Sequence, residues 1–250
     1  MKCKKGIIIE ARTSSVRLPK KTLKKICGKP TIQLLIERVK KVSDVDVVIL
    51  ATTHKKCDDK LIEIAKKEKI KSFRGSEDDV LGRVLGAAKK FKVDQIISVQ
   101  GDCTLIDPGC IERVIRLFNN TNHDYASSAL LRTYPVGMET QVFWTRILSK
   151  VDKLTNLAGD REHVTQYIYK NPKIFNILKV KAPAKHKRPN YFLVLDEPDD
   201  LRLIKIIYKE FYHKNKNFSI DDIIDFLDKN PGIARINKNL ERNKESLGIL

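Results

Sequence analysis

No stretch of this 250-residue chain stays apolar for the ~20 residues that a bilayer-spanning helix needs, and residues 1–5 carry no apolar core of a signal peptide. The expectation is a cytoplasmic protein with no membrane partner. The chain also lacks CxxC spacing. Cys3, Cys27, Cys57, Cys103 and Cys110 are an odd, scattered set, which supports neither a disulfide framework nor a zinc knuckle. Neither GxxxxGKS/T nor GxGxxG occurs, so any phosphate cradle is neither a P-loop nor a dinucleotide fingerprint. Repeats and low-complexity segments are absent as well.

Acidic residues are few beside basic ones: 31 Asp and Glu against 49 Lys and Arg give a net charge of +18. Such a balance permits a nucleic-acid partner through phosphate contacts. The lysines are nevertheless spread over almost every predicted helix, as at Lys40, Lys66, Lys89, Lys170 and Lys209. Spread charge of this kind marks solvated faces rather than a binding stripe, and no nucleic-acid motif accompanies it, so nucleic acid is not the favoured partner. With 42% hydrophobic residues the chain is long enough to bury a real core.

The apolar pattern alternates between two periods. Short β-branched runs at 7–10, 45–51, 71–73 and 95–99 read as strands, and helical spacing over 30–41, 57–69, 77–91 and 108–118 separates and follows them. Strands alternating with helices imply right-handed βαβ units, hence an α/β fold with a mostly parallel sheet covered by helices on both faces. The texture changes over 124–182, where β-rich pieces punctuated by Pro135 and Gly137 are followed by helical stretches at 145–153 and 161–170 and a strand at 174–181. This segment reads as an insertion for substrate covering or subunit contact within a single domain spanning 1–230. A strand at 191–195 and helices at 199–211 and 219–227 close the domain, with Ser219 as an N-cap. The polar segment from 231 to 250 reads as a loosely packed tail.

Three places carry chemistry. The first strand stops at a loop bearing Arg12, Arg17, Lys20 and Lys21, and the crevice beyond strand C-termini is where α/β sheets bind ligands. Arg takes phosphate oxygens bidentately and Lys acts as a point charge, although a solvated basic turn fits the composition equally well. Gln100, Gly101 and Asp102 follow the strand ISV, and Asp196 follows the run FLVL. Carboxylates at strand ends suit Mg2+, which takes one or two carboxylates and fills its remaining positions with phosphate and water. Unpaired charge gathered in one crevice opposes the compact state, and a triphosphate with Mg2+ reconciles the cations with the acids.

These motifs resemble the cytidylyltransferases that activate acidic sugars, the family of acylneuraminate and 3-deoxy-manno-octulosonate cytidylyltransferases, and most closely its spore-coat polysaccharide biosynthesis branch. The family's A-R-x-G-S-x-R-L-P-x-K appears as Ala11, Arg12, Ser15, Arg17, Leu18, Pro19 and Lys21. Residues 73–83 read FRGSEDDVLGR, 101–103 with 105–108 read GDC and LIDP, 132–137 read RTYPVG, 161–165 read REHVT, and 196–201 read DEPDDL. The resemblance implies a Rossmann-like nucleotidyltransferase that joins CTP to an acidic or phosphorylated sugar and releases pyrophosphate.

By that resemblance Arg12 and Lys21 hold the triphosphate, and Arg17 supports the loop or a phosphate. Asp102 and Asp196 hold Mg2+. Ala11, Ser14, Ser15, Arg74, Asp79, Gln100 and Gly101 lie near the nucleotide, while Arg83, Tyr134, Glu139, Gln141, Glu162 and His163 face the acceptor. A homodimer contact through 124–182 is a further expectation. The chain departs from the family at Ser14, where Gly would leave the backbone free to take positive φ, and at Thr104, Phe192 and Val194. Two rival readings remain: a catalytically silent nucleotide- or nucleic-acid-binding paralogue, and a glycosyltransferase that consumes a finished sugar nucleotide.

Overall fold

The computed structural model describes residues 3–238. Its centre is a seven-stranded sheet. Strand β1 (Lys5–Glu10) lies between β4 (Val47–Thr53) and β6 (Gln95–Gln100) and is parallel to both, and β5 (Lys71–Gly75) adds to β4 in parallel. Beyond β6 come β8 (Gln141–Trp144), antiparallel to it, then β7 (Tyr125–Ser127) and β9 (Ile177–Lys179). A small hairpin of β2 (Lys25–Ile26) and β3 (Lys29–Pro30) stands apart from the sheet. The expected mostly parallel α/β sheet is therefore present, and the 124–182 segment extends that sheet with three strands.

The strands are buried because apolar side chains leave them on both sides. Ile7 and Ile9 join one core with helices α1 (Thr31–Val39), α2 (Asp59–Lys67) and α4 (Pro108–Asn119). Ile8, one residue out of phase, joins the opposite core with α3 (Val80–Lys90) and α5 (Thr145–Leu154). This period of two on a doubly covered sheet turns a continuous apolar run into two cores. A third cluster packs α8 (Pro198–Phe211) and α9 (Ile220–Lys229) around Leu105, Tyr134, Leu193 and Leu195. Among the described residues no helix is long and apolar enough to cross a membrane.

Three expectations are corrected. The helix expected over 161–170 is two short ones, α6 (Ala158–Glu162) and α7 (Gln166–Lys170), separated at Val164, whose φ of 36° is left-handed. A β-branched residue is strained there, and no helix continues through it. Residues 191–195 form no strand: they make a single bridge from Phe192 to Val136 and bend at Val194, because their backbone groups bond to loops. Leu193 N–H donates to the Val136 carbonyl at 2.7 Å and Leu195 N–H to the Asp102 carbonyl at 3.1 Å. The tail is packed as far as it is described. Residues 231–234 form α10 (Pro231–Ala234), Ile233 and Ile236 lie against the third cluster, and Asn237 is buried; 239–250 lie outside the described residues.

Candidate active site

The parallel strands deliver their C-terminal ends to one edge, and the antiparallel β8 delivers its N-terminal end there, so that Gln141 stands opposite Ser98. The loop after β1 is pinned at its base by Asp58, which is 1% exposed. One Asp58 oxygen accepts from Thr13 N–H at 2.8 Å and from the Thr13 hydroxyl at 2.6 Å, and the other accepts from the hydroxyls of Thr52 and Thr53 at 3.0 and 2.5 Å. Burial by itself would raise the Asp58 carboxyl, but these donors hold it below its ordinary value. The loop thus leaves the sheet from a fixed point, and Val16 and Pro19 stand in solvent at its outer part.

At the far end of that loop Lys20 takes φ 55° and turns the chain into the short helical turn Lys21–Leu23. The Lys21 ammonium then lies 2.6 Å from Asp102 and 2.7 Å from Asp196. Its side chain is 15% exposed, and those of the two carboxylates are 18% and 11% exposed. Burial alone would lower the Lys21 ammonium; the two flanking carboxylates outweigh it and hold it above its ordinary value. Arg17 adds a second cation 3.3 Å from Asp196. The Leu195–Asp102 backbone bond joins the two acid-bearing loops directly.

Two carboxylates converging on one cationic nitrogen make a donor set that a divalent ion could use. Among the described residues no three His, Cys, Asp or Glu side chains cluster as a metal cage. Mg2+ is bound in nucleotide sites through one or two carboxylates, with phosphate and water completing its octahedron, so Asp102 and Asp196 fit that ion. The nitrogen of Lys21 stands at the same point, and a metal held there requires that side chain to swing away.

A cleft of about 310 Å³ opens beside this triad, and its walls include Arg17, Lys21, Gln100, Asp102 and Asp196 together with Glu139, Gln141, Glu162 and His163. Val164's left-handed turn lies in the same wall. Gln141 accepts a hydrogen bond from the Thr165 hydroxyl at 2.8 Å. Glu139 accepts from Gly137 N–H at 2.5 Å, and burial pushes its carboxyl up to about 7. A larger opening of about 910 Å³ on the outer side of β9 contains none of the expected site residues.

Residues 6–225 match the family model described as Cytidylyltransferase. This chain belongs to the cytidylyltransferase family. It is 37% identical over 235 residues to an uncharacterized protein of Methanocaldococcus jannaschii, covering 94% of this chain and 95% of that one. With the spore coat polysaccharide biosynthesis protein SpsF of Bacillus subtilis it shares 29% identity over 232 residues, or 91% and 95% of the two chains. The solved structure of a cytidylyltransferase from Leptospira borgpetersenii superposes with a TM-score of 0.89 at 31% identity, covering 97% of this chain and 100% of the other. The protein is a CTP-dependent nucleotidyltransferase.

Not every residue expected in the cytidylyltransferase site reaches the cleft. Tyr134 is 1% exposed and packs in the third core cluster, its ring 6.3 Å from that of His186. Arg74 donates to the Thr53 carbonyl at 2.9 Å and pairs with Asp59, which ties β5 to the end of β4. Asp79 caps α3 by accepting from Gly82 N–H at 2.8 Å and receives Arg161 at 2.6 and 2.8 Å, a clamp between α3 and α6. Arg83 is buried behind the crevice, its guanidinium turned to the carbonyls of Ser76 and Glu77. Ala11 and Gly101 contribute backbone: Ala11 N–H donates to Ala51 and Gly101 N–H to Glu10. Ser15 N–H folds back on the Thr13 carbonyl at 2.9 Å.

The departures from the family pattern find specific partners. Ser14 is not among the residues with positive φ; its hydroxyl donates to Glu77, which also pairs with Lys55 and lies 3.7 Å from Arg12. Hydrogen bonds from Lys55 and Ser14 hold the Glu77 carboxyl below its ordinary value. Thr104 is fully buried and its carbonyl accepts from the Tyr208 hydroxyl at 2.7 Å. Phe192 offers its ring to the Arg132 guanidinium 5.5 Å away, while Val194 lines the cleft.

Sequence reasoning passed over Thr13, Asp58, Glu77 and Asp200. Glu77 and Asp200 lie inside the motifs FRGSEDDVLGR and DEPDDL, and that membership was the available signal. Asp58 and Thr13 lie 45 residues apart, and neither carries a local signal of the bond between them.

Proposed function

We propose that this cytidylyltransferase transfers CMP from CTP to an acidic or phosphorylated sugar, releasing pyrophosphate, in the assembly of a surface polysaccharide or glycan. The convergence of Lys21 with Asp102 and Asp196 at the C-terminal edge of the sheet carries this reading. The similarity to SpsF supports the polysaccharide setting.

In the reaction the acceptor hydroxyl attacks the α-phosphorus in line. An oxygen–phosphorus bond forms, the bond to the β-phosphate oxygen breaks, and pyrophosphate leaves with that electron pair. Such a transfer needs positioning and charge neutralisation more than a covalent nucleophile. Held by Asp102 and Asp196, Mg2+ would neutralise charge at the α-phosphate and ease loss of the hydroxyl proton to water. Lys21 turns from the carboxylates to the triphosphate, and Arg12 and Arg17 meet its other oxygens from the same loop. Gln141, Glu162 and His163 orient the acceptor from the opposite wall of the cleft.

The reading includes a homodimer through 124–182. Large apolar side chains left exposed in that segment, Leu154 at 45%, Leu157 at 71% and Ile174 at 45%, would be covered by a second copy. Analytical ultracentrifugation giving a monomer at micromolar concentration would remove this part alone.

The experiment for the activity is a screen of the four nucleoside triphosphates with Mg2+ against acidic sugars and sugar phosphates, read as pyrophosphate. Release with CTP and one acidic acceptor is expected. Release of CMP or UDP from a sugar nucleotide would identify a glycosyltransferase. Salt-dependent RNA retention without pyrophosphate would identify a silent binding protein.

A further inference from the structure

Asp196 follows a segment that belongs to no strand, so the sheet does not fix it. Its support comes from behind. The Asp200 carboxylate, completely buried, accepts from Asp196 N–H at 3.0 Å and from Glu197 N–H at 2.9 Å through one oxygen. Its other oxygen accepts from the side-chain amide of Asn237 at 2.6 Å. The same amide nitrogen donates to the Phe192 carbonyl at 2.9 Å, four residues before Asp196 on the same segment. Asn237 is 1% exposed.

A single amide thus grips the segment on both sides of the point where Asp196 leaves it. Two N–H donors and an amide converge on a buried carboxylate, an arrangement in which each bond is charge-assisted and strong. Loss of one partner leaves Asp200 undersatisfied in a place water does not reach. Asn237 is supplied by a part of the chain remote in sequence from every loop of the cleft, and no catalytic chemistry requires it there.

We infer that Asn237 is a positioning residue: acting through Asp200, it sets the backbone at Asp196 so that this carboxylate meets Asp102 at one cation site. The inference rests on the reading that Asp102 and Asp196 together hold the divalent ion. Backbone placement at Asp196 then governs metal affinity, in the way that groups bonded to ligand-bearing residues govern it elsewhere, where their loss costs 10–100-fold.

The test is a Mn2+ titration of the full-length protein with CTP present, followed by the electron paramagnetic resonance of free Mn2+, alongside thermal unfolding. Asn237→Leu, which keeps the branched shape and removes the amide, is expected to raise the half-saturating Mn2+ concentration by roughly tenfold. Asn237→Ala gives the same readout, without added bulk, should Asn237→Leu not fold. Asp102→Asn serves as the reference for the metal reading itself. If Asp102→Asn binds Mn2+ like the wild type, the metal assignment fails. If Asp102→Asn loses Mn2+ while the folded Asn237 variants bind it unchanged, or both Asn237 variants fail to fold at all, Asn237 is a structural residue and the inference is overturned.

Discussion

Gly101 presses against Ala11: a Cβ at position 101 would stand 2.7 Å from the Ala11 Cβ and 2.8 Å from the Glu10 carbonyl oxygen. Gly101 N–H donates to that same carbonyl at 2.8 Å. From these two residues the basic loop and the Asp102 loop diverge, so their contact sets how far Lys21 must reach. Gly101→Ala is expected to lower stability by about 1–3 kcal/mol through overpacking. Urea unfolding measures this, and an unchanged midpoint would show that the strand ends separate freely.

Lys21→Met leaves Asp102 and Asp196 facing each other in a mostly buried site. Removing one partner of such a group is costly, about 3–5 kcal/mol when burial is complete and less here, where each side chain keeps some exposure. The expected result is a lower melting temperature that millimolar Mg2+ raises more in the variant than in the wild type. Equal responses to Mg2+ would count against a shared site for ion and ammonium.

Glu77 gathers Ser14, Lys55 and Arg12 around one carboxylate. Glu77→Gln weakens that hold on the triphosphate loop while leaving Asp102 and Asp196 untouched. A rise in the KM for CTP of roughly fivefold, near 1 kcal/mol, with kcat little changed, is the expected signature. A fall in kcat at constant KM would instead assign Glu77 to the chemical step.

Glu139 supplies a pH signature. Its carboxyl, raised by burial from an ordinary 4.5 to about 7, keeps in the folded protein a proton that the unfolded chain has already released. The stability it contributes is fully present below about 4.5 and is lost as pH rises through about 7. Melting temperatures at pH 5 and pH 8 should therefore differ less in Glu139→Gln than in the wild type. Parallel profiles would place the titration elsewhere.

Local pattern was enough for the sheet. The run Ile7–Ile8–Ile9 and its counterparts in β4 and β6 are short, β-branched and bounded by loops, and such runs separated by helical periods have few ways to pack other than in parallel. The elements that went astray depend on distant partners. Residues 191–195 look like β1 in composition, yet no strand offers them a ladder, and their N–H groups turn to Asp102 and Val136. The helix over 161–170 has helical spacing throughout, and the backbone at 163–165, with its left-handed Val164, breaks it.

The site divides in the same way. That Arg17, Lys21, Asp102 and Asp196 would come together could be expected from the sequence, because charged residues at the ends of apolar runs must come out at the sheet's edge. Tyr134, Arg74 and Asp79 looked equally functional, but the fold uses them for a core, a strand tether and a helix cap. By itself the sequence determined a doubly covered, mostly parallel sheet and the rim where its charges emerge, since both follow from periodicity and strand direction. Only the tertiary structure decided that Lys21 would lie between two aspartates separated by almost a hundred residues, and that Asn237 would reach back to Asp200, whose carboxylate accepts from the Asp196 N–H. Hydrogen bonds and ion pairs act over a few ångströms of space, and no spacing along the chain encodes which remote groups will share that space.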